Sequence, residues 1–486
     1  MVELDWQSRA EAFSDHLERP RGKGRLSGAA HLGTAGGAAC GDRLVFAVDL
    51  AERSGEVCVK AGFEAVGCGA LTAAASAAVA LVEGRHFLEA AKVGAAQIEA
   101  ELGGLSAAKA HAAQLAEEAL HRALGKAVWQ LSLAPAAERV VVGLSGGVDS
   151  AVAAALLAER GQRPVGVTFE LWRDEENDQS RSCCSAQAVA IARRLAAALG
   201  IPHLTIDLRE TFKAKVVDRW AVEHRAGLTP YPCLRCNGAV RFAGLAGLAD
   251  RLGAPAIATG HYARVVEVDG EPLLALARDR GKDQTYPLAA VEGRLLKRLA
   301  LPLGDLAKQE VRALAAKRGL AVANRPDSQD LCFLAGTSRE RLLRRLIGLA
   351  PGEGPILDRQ GRVVGSHRGF TAYTIGQRKG LGLGGGGPFF VLAVDAKSNS
   401  LVVGRRAELL VERLALGRLS LRLPAEAVDG ARIRARGEIH PARLEPGRRP
   451  AVRFERPVER TAPGQLACLY SGELVAGWGI IAGERP

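Results

Sequence analysis

Ser145-Gly146-Gly147-Val148-Asp149-Ser150 stands between an apolar run, Val140–Leu144, and an alanine-rich helical pattern that begins at Ala151. Strand, glycine loop and helix in that order form the setting of a phosphate cradle. Glycines let backbone N–H groups turn toward an anion, hydroxyls add donors, and the helix N-terminus contributes favourable potential. The lysine and spacing of a GxxxxGK[ST] loop are missing, so this is a different kind of phosphate loop. Gly143, Leu144, Ser145, Gly146, Gly147, Asp149 and Ser150 are the expected nucleotide contacts. Outward from the loop, the apolar runs PVGVTFEL (164–171), PHLTIDL (202–208) and APAIATGHY (254–262) are separated by helical patterns such as AVAAALLAER and 186–199. Apolar strands alternating with helices predict an α/β fold, a doubly wound parallel sheet.

The flanks differ from this centre. Residues 1–126 predict a compact unit of strands (Leu44–Asp49, Glu56–Phe63) and helices (Leu71–Val82, Ala107–Leu124), followed by a short Pro-containing connector, Trp129–Arg139. After about Ala350 the helical period fades. Short alternating segments punctuated by glycine predict a small β-rich domain and a β-barrel. The expected domains are 1–130, 138–345, 346–404 and 405–486.

With 48% hydrophobic and 24% charged residues, the 486-residue chain is neither disordered, nor a coiled coil, nor a small disulfide scaffold. Its net charge of +12 divides into −3 over residues 1–130 and +15 over the rest, and 401–486 alone holds 15 Arg against 10 acidic residues. A basic body suits a polyanionic partner, although a soluble basic enzyme carries the same balance. No apolar segment of signal-peptide type follows Met1, and the most apolar stretch, Gly69–Val82, falls short of the ~20 residues that span a bilayer. A cytoplasmic location without a membrane partner is expected. The nine cysteines then read as reduced, metal-binding or catalytic thiols.

The hexapeptide SGGVDS resembles the PP-loop of the ATP pyrophosphatases, in which the aspartate helps to organise Mg²⁺ and pyrophosphate. Further motifs follow: Thr229-Pro230-Tyr231-Pro232-Cys233-Leu234-Arg235-Cys236-Asn237, Ala258-Thr259-Gly260-His261-Tyr262, Lys282-Asp283-Gln284-Thr285-Tyr286, and Asp327-Ser328-Gln329-Asp330-Leu331-Cys332-Phe333. Tyr373 to Leu381 and Pro463-Gly464-Gln465 complete the set. In this order, over about 138–486, they resemble the MnmA family of tRNA-specific 2-thiouridylases. The resemblance implies ATP-dependent adenylation of the C2 oxygen of the wobble uridine, then sulfur transfer. Cys332 would carry a persulfide sulfur, and Cys236 would release it by forming a disulfide. Gly260 joins the nucleotide contacts, Mg²⁺ joins ATP, and Lys282, Gln284, Gln377, Arg378 and Lys379 are candidate RNA contacts. A cysteine desulfurase or sulfur relay protein would supply the sulfur.

Better-known members of the family carry Asp three residues before the Cys236 position, whereas this chain has Cys233. Cys233, Cys236 and Cys332 therefore form a possible ligand set for a 4Fe–4S cluster with one open iron, and the persulfide route stays open beside it. Cys183 and Cys184 belong to a substrate loop or are structural, Cys468 reads as a strand core residue, and His261 contacts nucleotide or RNA or is structural. The competing functions are another PP-loop adenylating enzyme and an iron–sulfur carrier with a vestigial loop.

Residues 1–126 resemble the IscU/NifU N-terminal scaffold of iron–sulfur assembly, an α+β domain, through HLERPRGKG (16–24), Ala39-Cys40-Gly41-Asp42, Phe63 to Gly69 and Lys109-Ala110-His111-Ala112. The resemblance marks Cys40, Asp42, Cys68 and His111 as candidate ligands for Zn or Fe. Ala112 replaces the scaffold's third cysteine. A metal site, a cluster completed from elsewhere and a retired scaffold kept for docking are the three readings. Fusion would raise the effective concentration of this module at the thiolation site if the connector lets the sites meet.

Overall fold

The computed structural model describes residues 6–25, 28, 30–37, 41–53, 55–174, 185–325, 331–384 and 387–483. Cys40, Cys183, Cys184, Asp327–Asp330 and part of the glycine run 384–387 fall outside them.

The central sheet is parallel throughout, with β4 (Arg139–Gly143), β5 (Arg163–Glu170), β6 (His203–Asp207), β7 (Ala256–Thr259) and β10 (Leu299–Ala300) in the order β10-β7-β4-β5-β6. Their Val, Ile and Leu side chains are buried, as expected of strands covered on both faces. The chain winds one way from β4 through β6 and then returns to the other side of β4 as β7. A crevice therefore opens at the carboxyl ends of β4 and β7, the usual ligand position in such sheets. Helices Val148–Glu159 and Ala186–Ala198 follow β4 and β5.

The front unit pairs β1 (His31–Gly36), β2 (Arg43–Arg53) and β3 (Glu56–Val66) as an antiparallel sheet. It carries α1 (Trp6–Glu18), α2 (Gly69–Val82) and α3 (Ala110–Ala127). The short connector does not hang free, because the front unit is packed on the central sheet. α3 lies along the outer edge of β6, where a Cβ at Gly125 would land on the Thr205 carbonyl oxygen. His121 Nδ1 sits 3.0 Å from the His203 carbonyl oxygen, and the His203 N–H donates to Ala91 O at 3.0 Å. An edge strand left open would present unpaired backbone groups, and α3 covers this one. Leu120 and Leu124 share one apolar core with Leu204 and Ile206. The connector itself is bound down: Leu133 N–H donates to Arg251 O, Ala136 N–H donates to Gly253 O, and Val128 and Leu131 are buried.

The remainder is β-rich. β11 (Gly354–Leu357), β12 (Val363–His367), β13 (Phe390–Asp395) and β14 (Ser400–Gly404) form a four-stranded sheet in the order β12-β11-β14-β13. β15 (Leu410–Leu421) pairs with both β18 (Ala451–Glu459) and β20 (Leu474–Ile481), which closes the barrel completed by β16 (Gly430–Arg432), β17 (His440–Glu445) and β19 (Leu466–Ser471). One pairing crosses the expected boundary. The hairpin of β8 (Arg264–Val268) and β9 (Glu271–Ala275) leaves the central unit and joins this sheet through Ala275 opposite Leu474. Among the described residues, no helix is long and apolar enough to cross a membrane.

Candidate functional site

The phosphate loop sits at the switch between β4 and β7. Gly146 has φ +71°, and a Cβ there would stand 2.6 Å from the Ala188 carbonyl oxygen, so only glycine suits this turn. Gly147 caps the following helix, and Asp149 lies in its first turn. Ser150 Oγ accepts the Ser145 N–H at 3.1 Å and donates to Gly147 O at 3.1 Å, which holds the loop around its own helix start. Gly260, from the end of β7, presses against the same turn; a Cβ would lie 2.6 Å from Ser150 N and from Asp149 C. Gly143 faces Thr259 across the β4–β7 pair, and Thr168 Oγ donates to the Leu144 carbonyl at 2.8 Å.

Three residues that the sequence did not tie to this loop complete it. Lys308 Nζ contacts both Asp149 carboxylate oxygens, at 2.7 and 2.8 Å, and the Tyr262 hydroxyl donates to Asp149 Oδ1 at 2.8 Å. Arg325 Nη1 donates to Gly146 O at 2.8 Å. Asp149 is thus a carboxylate held in place by Lys308 and Tyr262, in the first turn of the helix that follows the loop. His261 is half-buried, and burial pushes its pKa down to about 4, so it is a neutral ring hydrogen-bonded to Thr259 Oγ at 2.8 Å.

The cysteines belong to the same half of the molecule. Cys236 is buried and opens a π-helical stretch, Cys236–Phe242, a distortion often found at functional sites. Cys233 lies one helical turn before it and is half-buried. Their segment is clasped by the barrel: Gln465 Nε2 donates to Thr229 O at 2.6 Å, and Thr229 N–H donates to Pro463 O at 2.8 Å. Cys332 begins a 3₁₀ turn, Cys332–Leu334. Its neighbour Phe333 is held edge-on by Trp172, Phe212 and Trp220, with centroids 6.5, 6.0 and 5.2 Å away. Cys236 and Cys332 pack on one continuous core. Cys468 lies inside β19, and burial pushes its thiol up to about 12, an inert core cysteine.

In the front unit, Asp42, Cys68 and His111 offer ligand atoms that all lie within 4.8 Å of one another. Asp42 Oδ1 accepts the Cys68 backbone N–H at 2.9 Å, which is the main reason its carboxyl is held below the usual range; His111 Nε2 lies 3.1 Å from Oδ2. His111 Nδ1 faces the Ala108 carbonyl at 3.0 Å. A ring whose Nδ1–H is fixed in that way keeps Nε2 for a ligand bond, the arrangement found behind metal-binding histidines. Sulfur, carboxylate and imidazole converging on one point fit zinc or iron. Ala112 is fully buried beside them.

Residues 9–128 match a NifU-like N-terminal domain, and 138–336 match a HUP domain described under tRNA methyl transferase. Residues 341–405 match a PRC-barrel domain of the same description, and 425–481 match an aminomethyltransferase β-barrel domain. A bifunctional protein NifU/MnmA of Rubrobacter xylanophilus is 43% identical over 96% of this chain and 97% of its own length. The chain belongs to the NifU/MnmA family. The tRNA-specific 2-thiouridylases MnmA of Chloroflexus aurantiacus and Roseiflexus castenholzii are 43% and 42% identical over 71% of this chain, and over 98% and 99% of theirs.

For this NifU/MnmA chain, the five candidate RNA contacts divide. Gln284 is turned inward: its Oε1 accepts the Tyr262 N–H at 2.9 Å and its own N–H donates to Tyr262 O at 2.7 Å. Its neighbours are interior too. Asp283 pairs with Arg432 of the barrel at 2.7 Å, Thr285 Oγ meets the Tyr470 hydroxyl at 2.9 Å, and the Tyr286 hydroxyl donates to Leu466 O at 2.7 Å. The motif around Lys282 therefore ties the barrel to the central sheet, with Lys282 itself exposed. Gln377 spans its own turn, accepting Thr374 N–H at 3.2 Å and donating to Lys379 O at 3.0 Å. Arg378 and Lys379 are exposed beside it.

Proposed function

We propose that the chain uses ATP to replace the C2 oxygen of the wobble uridine of tRNA by sulfur. The observation that carries this reading is the SGGVDS loop at the β4–β7 switch, with its pre-aimed Asp149, in a chain matched end to end by a NifU/MnmA relative. The uridine C2 oxygen attacks the α-phosphorus of ATP, pyrophosphate leaves, and the C2–O bond becomes one to a good leaving group. Loop N–H groups and the helix N-terminus hold the departing phosphates. Asp149 would hold Mg²⁺, which would supply charge neutralisation there.

Sulfur then arrives as the terminal sulfur of a Cys332 persulfide. It attacks C2, and AMP departs with the original oxygen. The Cys236 thiolate attacks the Cys332 sulfur, breaking the S–S bond; the thiocarbonyl stays on the base and a Cys236–Cys332 disulfide forms. An external thiol must reduce that disulfide before the next turnover. A cysteine desulfurase or relay protein supplies the persulfide. Cys233 keeps the cluster route alive, because residues three apart on a helical turn face the same side.

Nucleoside analysis of tRNA from a strain lacking the gene tests the reading: loss of wobble 2-thiouridine, restored by the wild-type chain but not by Cys332→Ala, is expected. Unchanged 2-thiouridine overturns it. Iron and acid-labile sulfide in anaerobic wild type and Cys233→Ala separate the two sulfur routes.

A further inference from the structure

A cleft of about 770 Å³ opens where the front unit meets the central sheet. Its floor is the carboxyl ends of β5 and β6, and one wall is the last turn of α3 with the residues that follow. Lys126 and Trp129 come from the front side, while Trp172, Arg173, Arg209 and Lys213 come from the central side. Arg209 is paired with Asp207 at 2.9 Å and Lys213 with Asp218 at 2.8 Å, which leaves Lys126, held on the Leu32 carbonyl at 2.7 Å, and Arg173 against Glu210, so the cleft keeps a small positive balance. Trp129 is 36% exposed and Arg173 is exposed.

Two features decide what fits. A groove with Arg173 and Lys126 along it and the exposed indole of Trp129 beside them matches single-stranded nucleic acid, in which phosphates track the cations and an unstacked base lies on an aromatic ring. The cleft also shares its inner wall with the sulfur-bearing turn. Trp172 lines the cleft on one side and packs edge-on against Phe333, next to Cys332, on the other. Thr211 and Lys213 line the cleft on either side of Phe212, another ring of the same aromatic box.

We propose that this seam cleft is an RNA-binding groove that receives a single-stranded stretch of the substrate tRNA, with the front unit supplying one wall. The proposal rests on the tRNA reading above. It gives the NifU-like unit a role in substrate binding that requires no sulfur chemistry of its own, and it places the bound strand against the box that holds the Cys332 turn.

The test is tRNA binding to the full chain, with labelled tRNA at several salt concentrations, for wild type, Trp129→Ala, Arg173→Gln and a control at an exposed residue away from the cleft, Lys60→Gln. Both cleft variants are expected to weaken tRNA binding about tenfold, the scale of one stacked base or one well-placed phosphate contact. Arg173→Gln should also flatten the slope of log affinity against log salt by roughly 0.7–0.9, and ATP binding and the Lys60→Gln control should match wild type. Wild-type affinity and salt slope in both cleft variants overturn the groove while leaving the thiolation reading intact. Loss of stimulation by a sulfur-donor protein with tRNA affinity unchanged also overturns it, assigning the cleft to a protein instead. A wild-type chain that binds no tRNA overturns both readings.

Discussion

At the scale of single residues, Asp149 shows how the loop is prepared before any ligand arrives. Its carboxylate is fixed by two groups from distant parts of the chain, Lys308 and the Tyr262 hydroxyl. On the proposed reaction, a carboxylate already oriented would hold Mg²⁺ beside the phosphates without reorganising. Tyr262→Phe removes one neutral donor to a charged acceptor, worth about 1.5–3 kcal/mol in orientation. The expected result is a tenfold or greater loss in the rate of tRNA-dependent AMP formation, while Lys308 still holds the carboxylate and the thermal midpoint moves little. Asp149→Asn should lose more, because it removes the charge as well as its aim. A Tyr262→Phe enzyme with unchanged kinetics would show that the hydroxyl only packs. The loop hexapeptide was readable because its chemistry is contiguous. Lys308 and Arg325 were not, since each is an ordinary residue until the fold brings it to the loop, and Tyr262, though inside a quoted motif, showed no link to Asp149.

At the scale of elements, the seam between α3 and β6 is where sequence reading failed, for a physical reason. Residues 110–127 have the pattern of an ordinary alanine-rich amphipathic helix, and nothing local marks Gly125 and His121 as points of contact with a strand 80 residues later. The parallel sheet, by contrast, was plain, because its strands are uninterrupted apolar runs. His121 is enclosed between the carbonyls of His203 and Val93, at 3.0 and 2.9 Å, and its ring lies 5.9 Å from that of His203. Burial first, then the nearby Arg193 charge, pushes its pKa down to about 4. His203 is held down in the same way, and its Nε2–H reaches Thr168 Oγ, whose proton goes to the Leu144 carbonyl just before the phosphate loop. A neutral imidazole has one N–H, so His121 donates to only one of its two carbonyls, and the burial that holds both rings down outweighs the second carbonyl and keeps them uncharged. A histidine depressed in the folded state binds its proton in the unfolded chain first, so stability is present above about pH 6.5 and is lost as pH falls toward 4. His121 alone accounts for about 2 kcal/mol of that loss at pH 5. The thermal midpoint should fall between pH 7.5 and 5, and fall less in His121→Gln, which keeps a donor and has no titration. Equal falls in both proteins would remove His121 from the account.

At the scale of the whole molecule, the direction of α3 decides how the two functional sites can cooperate. Its contacts climb β6 in register, His121 at His203 and Gly125 at Thr205, so the helix runs the same way as the strand. Its carboxyl end therefore reaches the pole of the sheet where the phosphate loop and the Trp172–Phe333 contact lie. His111 is at the other end of α3, and the 14 residues to Gly125 span about 21 Å of helix axis. The Asp42–Cys68–His111 group thus lies away from the catalytic pole, and the shared apolar core keeps it there. Fusion has fixed a separation between the sites; it has not brought them together on a swinging tether. On the thiolation reading proposed above, sulfur would then reach Cys332 from a donor protein in solution, and the front group is not an obligatory stop on its way. His111→Ala should therefore lose any zinc or iron bound at the front group by metal analysis, yet keep wild-type rates of tRNA 2-thiolation when a cysteine desulfurase and its cysteine substrate are supplied to the full chain. A parallel loss of metal and of thiolation would mean that the front unit leaves β6 during turnover, because only an undocked unit could carry its ligand group to the Cys332 turn.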